Sequence, residues 1–365
     1  MKMSILQKRF GVSGAALDWF QSYITDRSQS FRCQEISTDP QNLACGVPQG
    51  SVLGPLKFIA YTEDVQTIFR RHLLKYMLFA DDKQVYGSDI LSKLPSLRAT
   101  LSACVVDVAE WCAARRLSLN ASKTELIWFG SRHNLSKMSN LELYITAGSD
   151  KITPTSVVRD LGVMLDSELS MKQHVAKVAS LCYYHLRRIR QIRRRVGLEV
   201  ATQLVVALVL SRLDYCNAVL AGLPASTTEP LQRVQNCAAR LLFLLRPRDH
   251  VRPYLQRLHW LPVIWRVKYK LCLLMFKSLH GFTPTYIADS LTTCSTKPGR
   301  PGLRSQTSRR FVKPMTRTTL GERAFSYAGP AEWNELPPEL QSIDKLNDFR
   351  RKLKTHLFRA AYPAS

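Results

Sequence analysis

The chain has 365 residues, 45% of them hydrophobic, which is enough for roughly two or three domains with a buried core. Its 52 Lys and Arg residues outnumber its 28 Asp and Glu residues, and the formal charge of +24 favours a polyanionic partner, nucleic acid before a membrane surface. Nine scattered cysteines argue against a disulfide framework or a zinc ribbon, and the lack of a signal-peptide run or an uninterrupted apolar span predicts an intracellular protein without a membrane partner.

The first helix with clear periodicity follows Ser13, which is a suitable N-cap. Three apolar or aromatic side chains share one face of this predicted helix: Leu17, Phe20 and Tyr23. The polar stretch over residues 28–36 then predicts short strands or a pair of loops.

A glycine-bracketed loop comes next along the chain. Gly46 and Gly50 flank Pro48, which predicts a tight turn. A helix is expected to begin near Leu53, because Pro55 fits only in the first turn of a helix.

Residues 76–86 predict a β-hairpin. Two short apolar runs, 76–79 and 84–86, flank Asp81 and Asp82, so both acids are expected at the tip of a strand–turn–strand unit. A helix follows the hairpin, with apolar residues at helical spacing: Leu97, Leu101, Val105, Val108 and Cys112.

The pattern changes from mixed to helical near residue 170. Residues 125–130 are strand-like and residues 157–165 close the mixed section. Beyond them the periodicity predicts helices over 171–196, 198–218, 228–245, 262–280 and 344–358.

The adjacent carboxylates Asp81 and Asp82 repel each other unless a cation neutralises them. Mg²⁺ suits such oxygen ligands, since it takes one or two protein carboxylates together with substrate phosphates. The alternative is an acidic turn that binds nothing. The glycine loop leads into a helix N-terminus, which favours phosphate, and Gln49 offers both a donor and an acceptor, although such a loop can also be only a turn.

Two motifs together identify a family. The segment Gly46–Pro55 followed by Phe79–Asp82 resembles motifs B and C of reverse transcriptases, specifically those of LINE-type, non-LTR retrotransposons. Asn120–Glu125 is similar to the family's motif D, and Leu161–Val163 is similar to its primer-grip region. The segments 259–262 and 333–337 resemble the part downstream of the polymerase, so the resemblance covers nearly the whole chain.

The resemblance implies a role for each matching residue. Asp81 would be the motif C metal ligand and Asp82 its partner acid, with Mg²⁺ as the ion. Lys123 would lie near the triphosphate and act as a general acid for pyrophosphate, while the alternative is an ordinary surface lysine. The remaining residues would line the nucleotide and template pocket: Gly46, Pro48, Gln49, Gly50, Ser51 and Phe79.

The sequence departs from the family pattern at several places. Lys83 follows the two acids and would compete with a metal, Lys57 interrupts a helix face that is usually apolar, and Phe79 stands where Tyr is frequent. No upstream strand supplies the metal-binding aspartate of motif A, so the sequence predicts an N-terminally truncated fragment that is weak or inactive as a polymerase.

An arginine-rich stretch forms a second candidate site, for nucleic-acid binding. It follows Tyr183 and Tyr184 and contains Arg187, Arg188, Arg190, Arg193, Arg194 and Arg195. Arginines can neutralise phosphates and tyrosines can stack on bases. The alternative is a solvated helix face.

The predicted fold class is α+β. The resemblance implies a partial right-hand polymerase palm over 1–168, a helical thumb-like and connecting region over 169–290, a basic Ser/Thr/Pro-rich linker over 291–323 and a C-terminal helical segment over 324–365. It implies an RNA template, a DNA primer and deoxynucleoside triphosphates as partners, in the cytoplasm and nucleus. Two alternatives stay open: a non-catalytic, basic nucleic-acid-binding remnant, and an unfolded relic.

Overall fold

The computed structural model describes residues 3–43, 46, 50–138, 143–147, 150–294 and 309–363. The chain divides into two units, unit 1 over Met1–Ser156 and unit 2 over Val157–Ser365. Helices and small antiparallel sheets occur together, so the fold is α+β, as predicted. The four-part division of the chain stays a prediction.

Unit 1 combines six helices with four hairpin-like strand pairs among its described residues. The helices are α1 (Met3–Phe10), α2 (Gly14–Ile24), α3 (Gly54–Thr62), α4 (Gln66–Arg71), α5 (Leu94–Ala114) and α6 (Arg132–Lys137). The strands are β1 (Arg27–Gln29), β2 (Arg32–Cys33), β3 (Ile36–Ser37), β4 (Gln41–Leu43), β5 (Lys75–Phe79), β6 (Asp82–Tyr86), β7 (Ile145–Ala147) and β8 (Asp150–Ile152). They pair antiparallel as β1 with β4, β2 with β3, β5 with β6, and β7 with β8.

The predicted starts of α2 and α3 are confirmed. Ser13 occupies the N-cap position of α2, although its side chain makes no capping hydrogen bond. Pro55 lies in the first turn of α3, where its fixed φ fits and its missing N–H costs no helical hydrogen bond. The expected helix after the hairpin is α5, whose buried face includes Val108 and Cys112.

The strand predicted over Glu125–Gly130 is wrong. Only Leu126 forms a bridge, with Pro154, and the amide of Thr155 donates to the Leu126 carbonyl at 2.8 Å. Pro154 has no N–H to donate to a ladder, so pairing does not extend along the segment.

Unit 2 opens with a hairpin of β9 (Val157–Asp160) and β10 (Val163–Asp166). Its other described elements are helices, apart from an isolated antiparallel bridge between Thr293 and Phe311. The longer helices are α7 (Lys172–Ile192), α8 (Leu198–Val205), α10 (Ala225–Phe243), α12 (Val263–Leu279), α15 (Phe325–Asn334) and α17 (Leu346–Ala361). The shorter ones are α9 (Ser211–Asp214), α11 (Arg252–Arg257), α13 (Thr285–Ala288), α14 (Thr319–Glu322) and α16 (Pro338–Gln341).

Two predicted helices end earlier than expected. The first, predicted to reach residue 196, ends at Ile192 and continues as a turn, in which the Arg195 amide donates to the Ile192 carbonyl at 2.8 Å. The second, predicted over 198–218, passes through a π-helical turn at Val206–Leu210 and ends at Asp214. There the hydroxyl of Ser211 donates to the Ala207 carbonyl, a bond that tends to bend helices.

The core of unit 2 contains several of the largest fully buried side chains, while Phe69 is fully buried in unit 1. Trp333, Phe276 and Phe349 pack together, with ring centroids 4.3 Å apart between the two phenylalanines. Phe311 is also buried in this cluster, so the chain just beyond residue 308 packs against the helices. A second cluster joins α7, α8, α10 and α12. In the part of the chain that the structure describes, no helix has the length and apolar character to cross a bilayer.

Candidate active site

The hairpin of β5 and β6 presents the two adjacent acids. Phe79 pairs with Asp82, so Ala80 and Asp81 are the two turn residues. This confirms the predicted strand–turn–strand unit with acids at its tip. Both carboxylates are exposed to solvent. Ala80 has φ +54°, a left-handed conformation that costs roughly 1–2 kcal/mol for a residue with a Cβ.

Two neighbours modify the surroundings of the acids. The ammonium of Lys83 donates to the backbone carbonyl of Asp81 at 3.1 Å and lies 5.9 Å from the centroid of the Phe58 ring. Phe79, at the end of β5, is 62% exposed and offers an open ring face beside Asp82. The tip therefore combines two carboxylates, one cation and one aromatic surface.

A cleft of about 180 Å³ lies between α3 and the hairpin. Its walls include Ile59 and Thr62 from α3 and Ala80 and Lys83 from the hairpin. The helix that follows the glycine loop and the turn that carries the acids thus border one depression. The proximity of the loop itself to the acids stays a prediction.

The described part of the loop has the backbone that its glycines predict. Gly46 has φ +90° and Gly50 has φ +84°, conformations that side chains with a Cβ rarely adopt. Ser51 accepts a hydrogen bond at its carbonyl from the Gly54 amide at 3.1 Å, just before α3 begins. Pro48 and Gln49 lie outside the described residues, and the roles implied for them stay predictions.

Lys123 lies on an exposed 3₁₀ turn, Ala121–Lys123. Asn120 organises this turn, since its carbonyl accepts from the Lys123 amide at 3.1 Å and from the Thr124 hydroxyl at 3.0 Å. The side-chain oxygen of Asn120 accepts from Ser122 at 2.6 Å. The turn presents the Lys123 amine to solvent, and its role stays a prediction.

The carboxylates of Asp81 and Asp82 fit one hard cation, since Mg²⁺ takes one or two protein carboxylates and completes its shell with water and phosphate. Within the described residues, no group of three or more His, Cys, Asp or Glu side chains gathers in a way that could hold a metal ion. The role of Asp81 and Asp82 as metal ligands stays a prediction.

In the sequence, Lys57 was only an unusual residue on a helix face. The structure shows that it is buried against two aromatic rings. Lys57 is 4% exposed, and its ammonium lies 3.4 Å from the centroid of the Tyr23 ring and 4.9 Å from that of Phe20. Burial, and next the charge of Arg27, lower the pKa of Lys57. The signal in the sequence was the spacing of Phe20 and Tyr23, which places both rings on one face of α2.

The arginine-rich stretch divides into two groups. Helix α7 buries Cys182, Leu186 and Ile189 on its inner face. Five arginines are exposed and are called the basic surface here: Arg187, Arg188, Arg190, Arg194 and Arg195. The guanidinium of Arg188 lies 5.7 Å from the Tyr184 ring centroid, so one cation and one aromatic ring are adjacent on this surface.

Arg193 is used differently from its neighbours. Its Nε and Nη2 donate to the Leu242 carbonyl at 3.1 and 2.5 Å, and its Nη1 donates to the Val196 carbonyl at 3.1 Å. The Leu242 carbonyl lies in the last turn of α10, where helices leave acceptors unpaired, and Val196 lies in the loop between α7 and α8. Arg193 therefore joins this loop to the end of α10 and has little capacity left for a phosphate.

The segment similar to the primer grip is the turn between β9 and β10 in unit 2. Leu161 has φ +42° and Gly162 has φ +89°, the paired left-handed residues of a tight two-residue hairpin. The Tyr215 hydroxyl donates to the Leu161 carbonyl at 2.5 Å, and a Cβ at Gly162 would lie 3.4 Å from the Tyr215 ring. The turn is thus held by a tyrosine from the helical part of the same unit.

Residues 4–165 match the family model described as "Reverse transcriptase (RNA-dependent DNA polymerase)". This segment, less than half of the chain, is therefore similar to reverse transcriptases. The match covers the glycine loop, the acidic hairpin and the Lys123 turn, and it ends within β10. The family's description implies a nucleic-acid template and nucleotide substrates.

Two relatives of the reverse transcriptase segment come from Drosophila melanogaster. The chain is 28% identical over 181 residues to the probable RNA-directed DNA polymerase from transposon BS. The aligned region covers 48% of this chain and 19% of that protein. It is 26% identical over 171 residues to the probable RNA-directed DNA polymerase from transposon X-element. That aligned region covers 43% of this chain and 17% of that protein. The chain therefore spans less than a fifth of these relatives. The recognition of a LINE-type reverse transcriptase from the sequence motifs is confirmed.

Proposed function

We propose that this chain is the reverse transcriptase region of a non-LTR retrotransposon and catalyses RNA-templated synthesis of DNA from deoxynucleoside triphosphates. The observation that carries the proposal is the hairpin turn of Asp81 and Asp82 inside a segment of the reverse transcriptase family. In this proposal residues 1–168 form part of a polymerase palm, and the helices of unit 2 form the thumb and a C-terminal extension. Such a protein would act in the cytoplasm and nucleus.

The carboxylates of Asp81 and Asp82 would hold Mg²⁺. When bound, the ion lowers the pKa of the primer 3′-hydroxyl and stabilises the charge of the leaving pyrophosphate. Phe79 would support the primer end or the nucleotide through its exposed ring, and Lys123 would protonate the pyrophosphate oxygen. Gly46, Pro48, Gln49, Gly50 and Ser51 would line the nucleotide and template pocket.

We expect the 365-residue chain alone to be a slow polymerase. Nucleotidyl transfer with two metals needs ligands on both ions, which lie about 3.5–4 Å apart. Two adjacent carboxylates at one turn cannot span both ions, and Lys83 adds a competing cation at 3.1 Å from the Asp81 carbonyl. Losing one bridging ligand costs several kcal/mol of transition-state stabilisation, or about a thousandfold in rate.

Primer extension on an RNA template with Mg²⁺ tests the proposal. The variants Asp81→Asn and Asp82→Asn keep side-chain size and remove the charge, while Asp89→Asn removes an exposed charge a few residues beyond β6 and serves as the control. Slow extension by the wild type, lost in the first two variants and retained in the third, is the expected result. Extension that persists in both Asp81→Asn and Asp82→Asn would contradict the proposal.

The basic surface, on α7 and the turn that follows it, would bind the template–primer duplex. Its five exposed arginines can each neutralise a phosphate, and the net charge of +24 attracts a polyanion from a distance. Binding without extension, unchanged in Asp81→Asn, would instead favour a basic nucleic-acid-binding protein without catalysis.

A further inference from the structure

A cluster of unpaired donors lies in unit 1 among α2, β1 and α3. Arg27, the first residue of β1, donates through Nη2 to the Gly46 carbonyl at 2.5 Å. Its Nε and Nη1, the ammonium of Lys57 and the hydroxyl of Tyr23 are all buried and have no hydrogen-bond partner among the described residues. Two cationic groups and one neutral donor thus lie together, and of the donor atoms named above only Arg27 Nη2 has an acceptor among the described residues.

This arrangement is electrostatically unfavourable as it stands. The charge of Arg27 is close enough to Lys57 to lower the pKa of its ammonium, after the larger effect of burial. Neither residue forms an ion pair with a carboxylate in the described part of the chain. The rings of Tyr23 and Phe20 stabilise the ammonium only in part, because a cation–π contact is worth about 0.5–2 kcal/mol.

We propose that Arg27, Lys57 and Tyr23 form a phosphate-binding site separate from the acidic turn. The proposal rests on the proposed function, in which the phosphate belongs to a nucleotide or to a nucleic-acid strand. A phosphate offers several acceptor oxygens and a negative charge, which satisfy the guanidinium, the ammonium and the hydroxyl together. A metal cation is excluded as the ligand, because the cluster presents donors and positive charge.

The site is a property of this chain rather than of the motif around it. Lys57 stands on a helix face where the family resemblance predicts an apolar residue. Arg27 is half-buried as a residue, while its Nε and Nη1 are fully buried. The flexible stem of Lys57 allows its ammonium to leave the Tyr23 ring and reach the bound anion.

Titration calorimetry with tripolyphosphate on the full chain tests the site. The titration is run at about 0.15 M salt, where the Debye length is roughly 8 Å and the electrostatic attraction of distant exposed charges is screened. In Lys57→Met, which keeps an unbranched apolar stem, the affinity should fall by about tenfold or more, since a charge-assisted hydrogen bond is worth about 1.5–3 kcal/mol. Arg27→Lys should also weaken binding, because the forked donor is lost while the charge stays. Lys93→Met, an exposed lysine of unit 1, should bind as the wild type does.

Competition identifies the source of the phosphate. Displacement of tripolyphosphate by dATP assigns the site to a nucleotide, and displacement by a single-stranded oligodeoxynucleotide assigns it to a strand. Displacement by neither, or equal tripolyphosphate affinity in Lys57→Met, Arg27→Lys and the wild type, overturns the proposal. Primer extension run in parallel separates the two hypotheses: bound tripolyphosphate without extension refutes the polymerase, and extension without Lys57-dependent binding refutes the site.

Discussion

The two units bury their apolar side chains to different degrees. In unit 2, Trp333, Phe276 and Phe349 are fully buried in one aromatic cluster. In unit 1, Val52 is 92% exposed and Leu56 is 63% exposed, both close along the chain to the glycine loop. Unit 2 also exposes single apolar side chains, such as Phe282 at 62%, but among the described residues it holds most of the buried apolar side chains.

The difference follows from how each unit builds its core. The sheets of unit 1 have only two strands each in the described residues, and such ribbons have too little surface to cover a core on their own. The long helices α7, α10 and α12 of unit 2 each bury a continuous stripe against one another. We therefore expect unit 2 to be the more stable unit.

Trp333→Ala should produce the largest loss of stability. The side chain is fully buried, and its Nε1 donates to the Arg309 carbonyl at 2.7 Å. Removing it should lower the free energy of unfolding of unit 2 by about 3–5 kcal/mol, as measured by urea denaturation. Trp19→Ala in unit 1, where the side chain is half exposed, is the control with a small expected loss. Similar losses in both variants would remove the contrast between the units.

Arg193→Ala and Arg190→Ala should separate a structural arginine from a binding one. Arg193→Ala leaves the Leu242 and Val196 carbonyls without their donor and should cost about 1–3 kcal/mol of unfolding free energy. Arg190→Ala removes an exposed charge and should leave stability within about 0.5 kcal/mol of the wild type. Thermal denaturation of the two variants side by side measures this difference.

The combined variant Arg187→Ala, Arg190→Ala and Arg194→Ala should weaken binding of RNA or DNA without unfolding unit 2. For duplex DNA, each lost phosphate contact should lower the slope of log affinity against log salt by about 0.9. Fluorescence anisotropy over a salt series gives the slope. A slope identical to that of the wild type would mean that the basic surface is only a solvated helix face.

Lys57→Met should stabilise unit 1 in the absence of phosphate. The buried ammonium has no hydrogen-bond partner among the described residues, and an apolar side chain of similar length avoids its desolvation. The expected gain is on the order of 1 kcal/mol, because the lost contact with the Tyr23 ring offsets part of it. Lys93→Met should change stability by less than about 0.5 kcal/mol in the same denaturation assay.

The pH dependence of unit 2 should reflect its buried histidine. Burial lowers the pKa of His174, whose Nδ1 accepts from the Met164 amide at 3.4 Å. The unfolded chain binds a proton near pH 6.5 and the folded chain does so only at lower pH, so stability is complete above about pH 6.5 and decreases as the pH falls toward the folded pKa.

The matching variant is His174→Gln, which should lose part of this decrease. Burial, followed by the charges of Arg212 and Arg188, also lowers the pKa of His185, so some decrease should remain. His250→Gln, at an exposed position, should follow the wild-type profile. Unfolding free energies measured from pH 7.5 to 5 that are parallel in His174→Gln and the wild type would contradict the assignment.

Local patterns in the sequence were sufficient for the hairpin and most helices. The short apolar runs on either side of Asp81 and Asp82 predicted β5 and β6, and Pro55 marked the first turn of α3. The family motifs predicted the reverse transcriptase segment that residues 4–165 match. These signals succeed because side-chain periodicity, turn residues and proline geometry act through neighbours in the chain.

Only the tertiary structure decided which similar residues have different roles. Arg193 and Arg190 look alike in sequence, yet Arg193 bonds a carbonyl 49 residues away and Arg190 faces solvent. The sequence alone does not show that Lys57 contacts an aromatic ring. In the folded chain, α2 places the centroid of the Tyr23 ring 3.4 Å from the Lys57 ammonium. The strand expected at residues 125–130 failed because its partner segment contains Pro154. Burial and hydrogen bonding depend on groups distant in the chain, and local spacing carries no information about them.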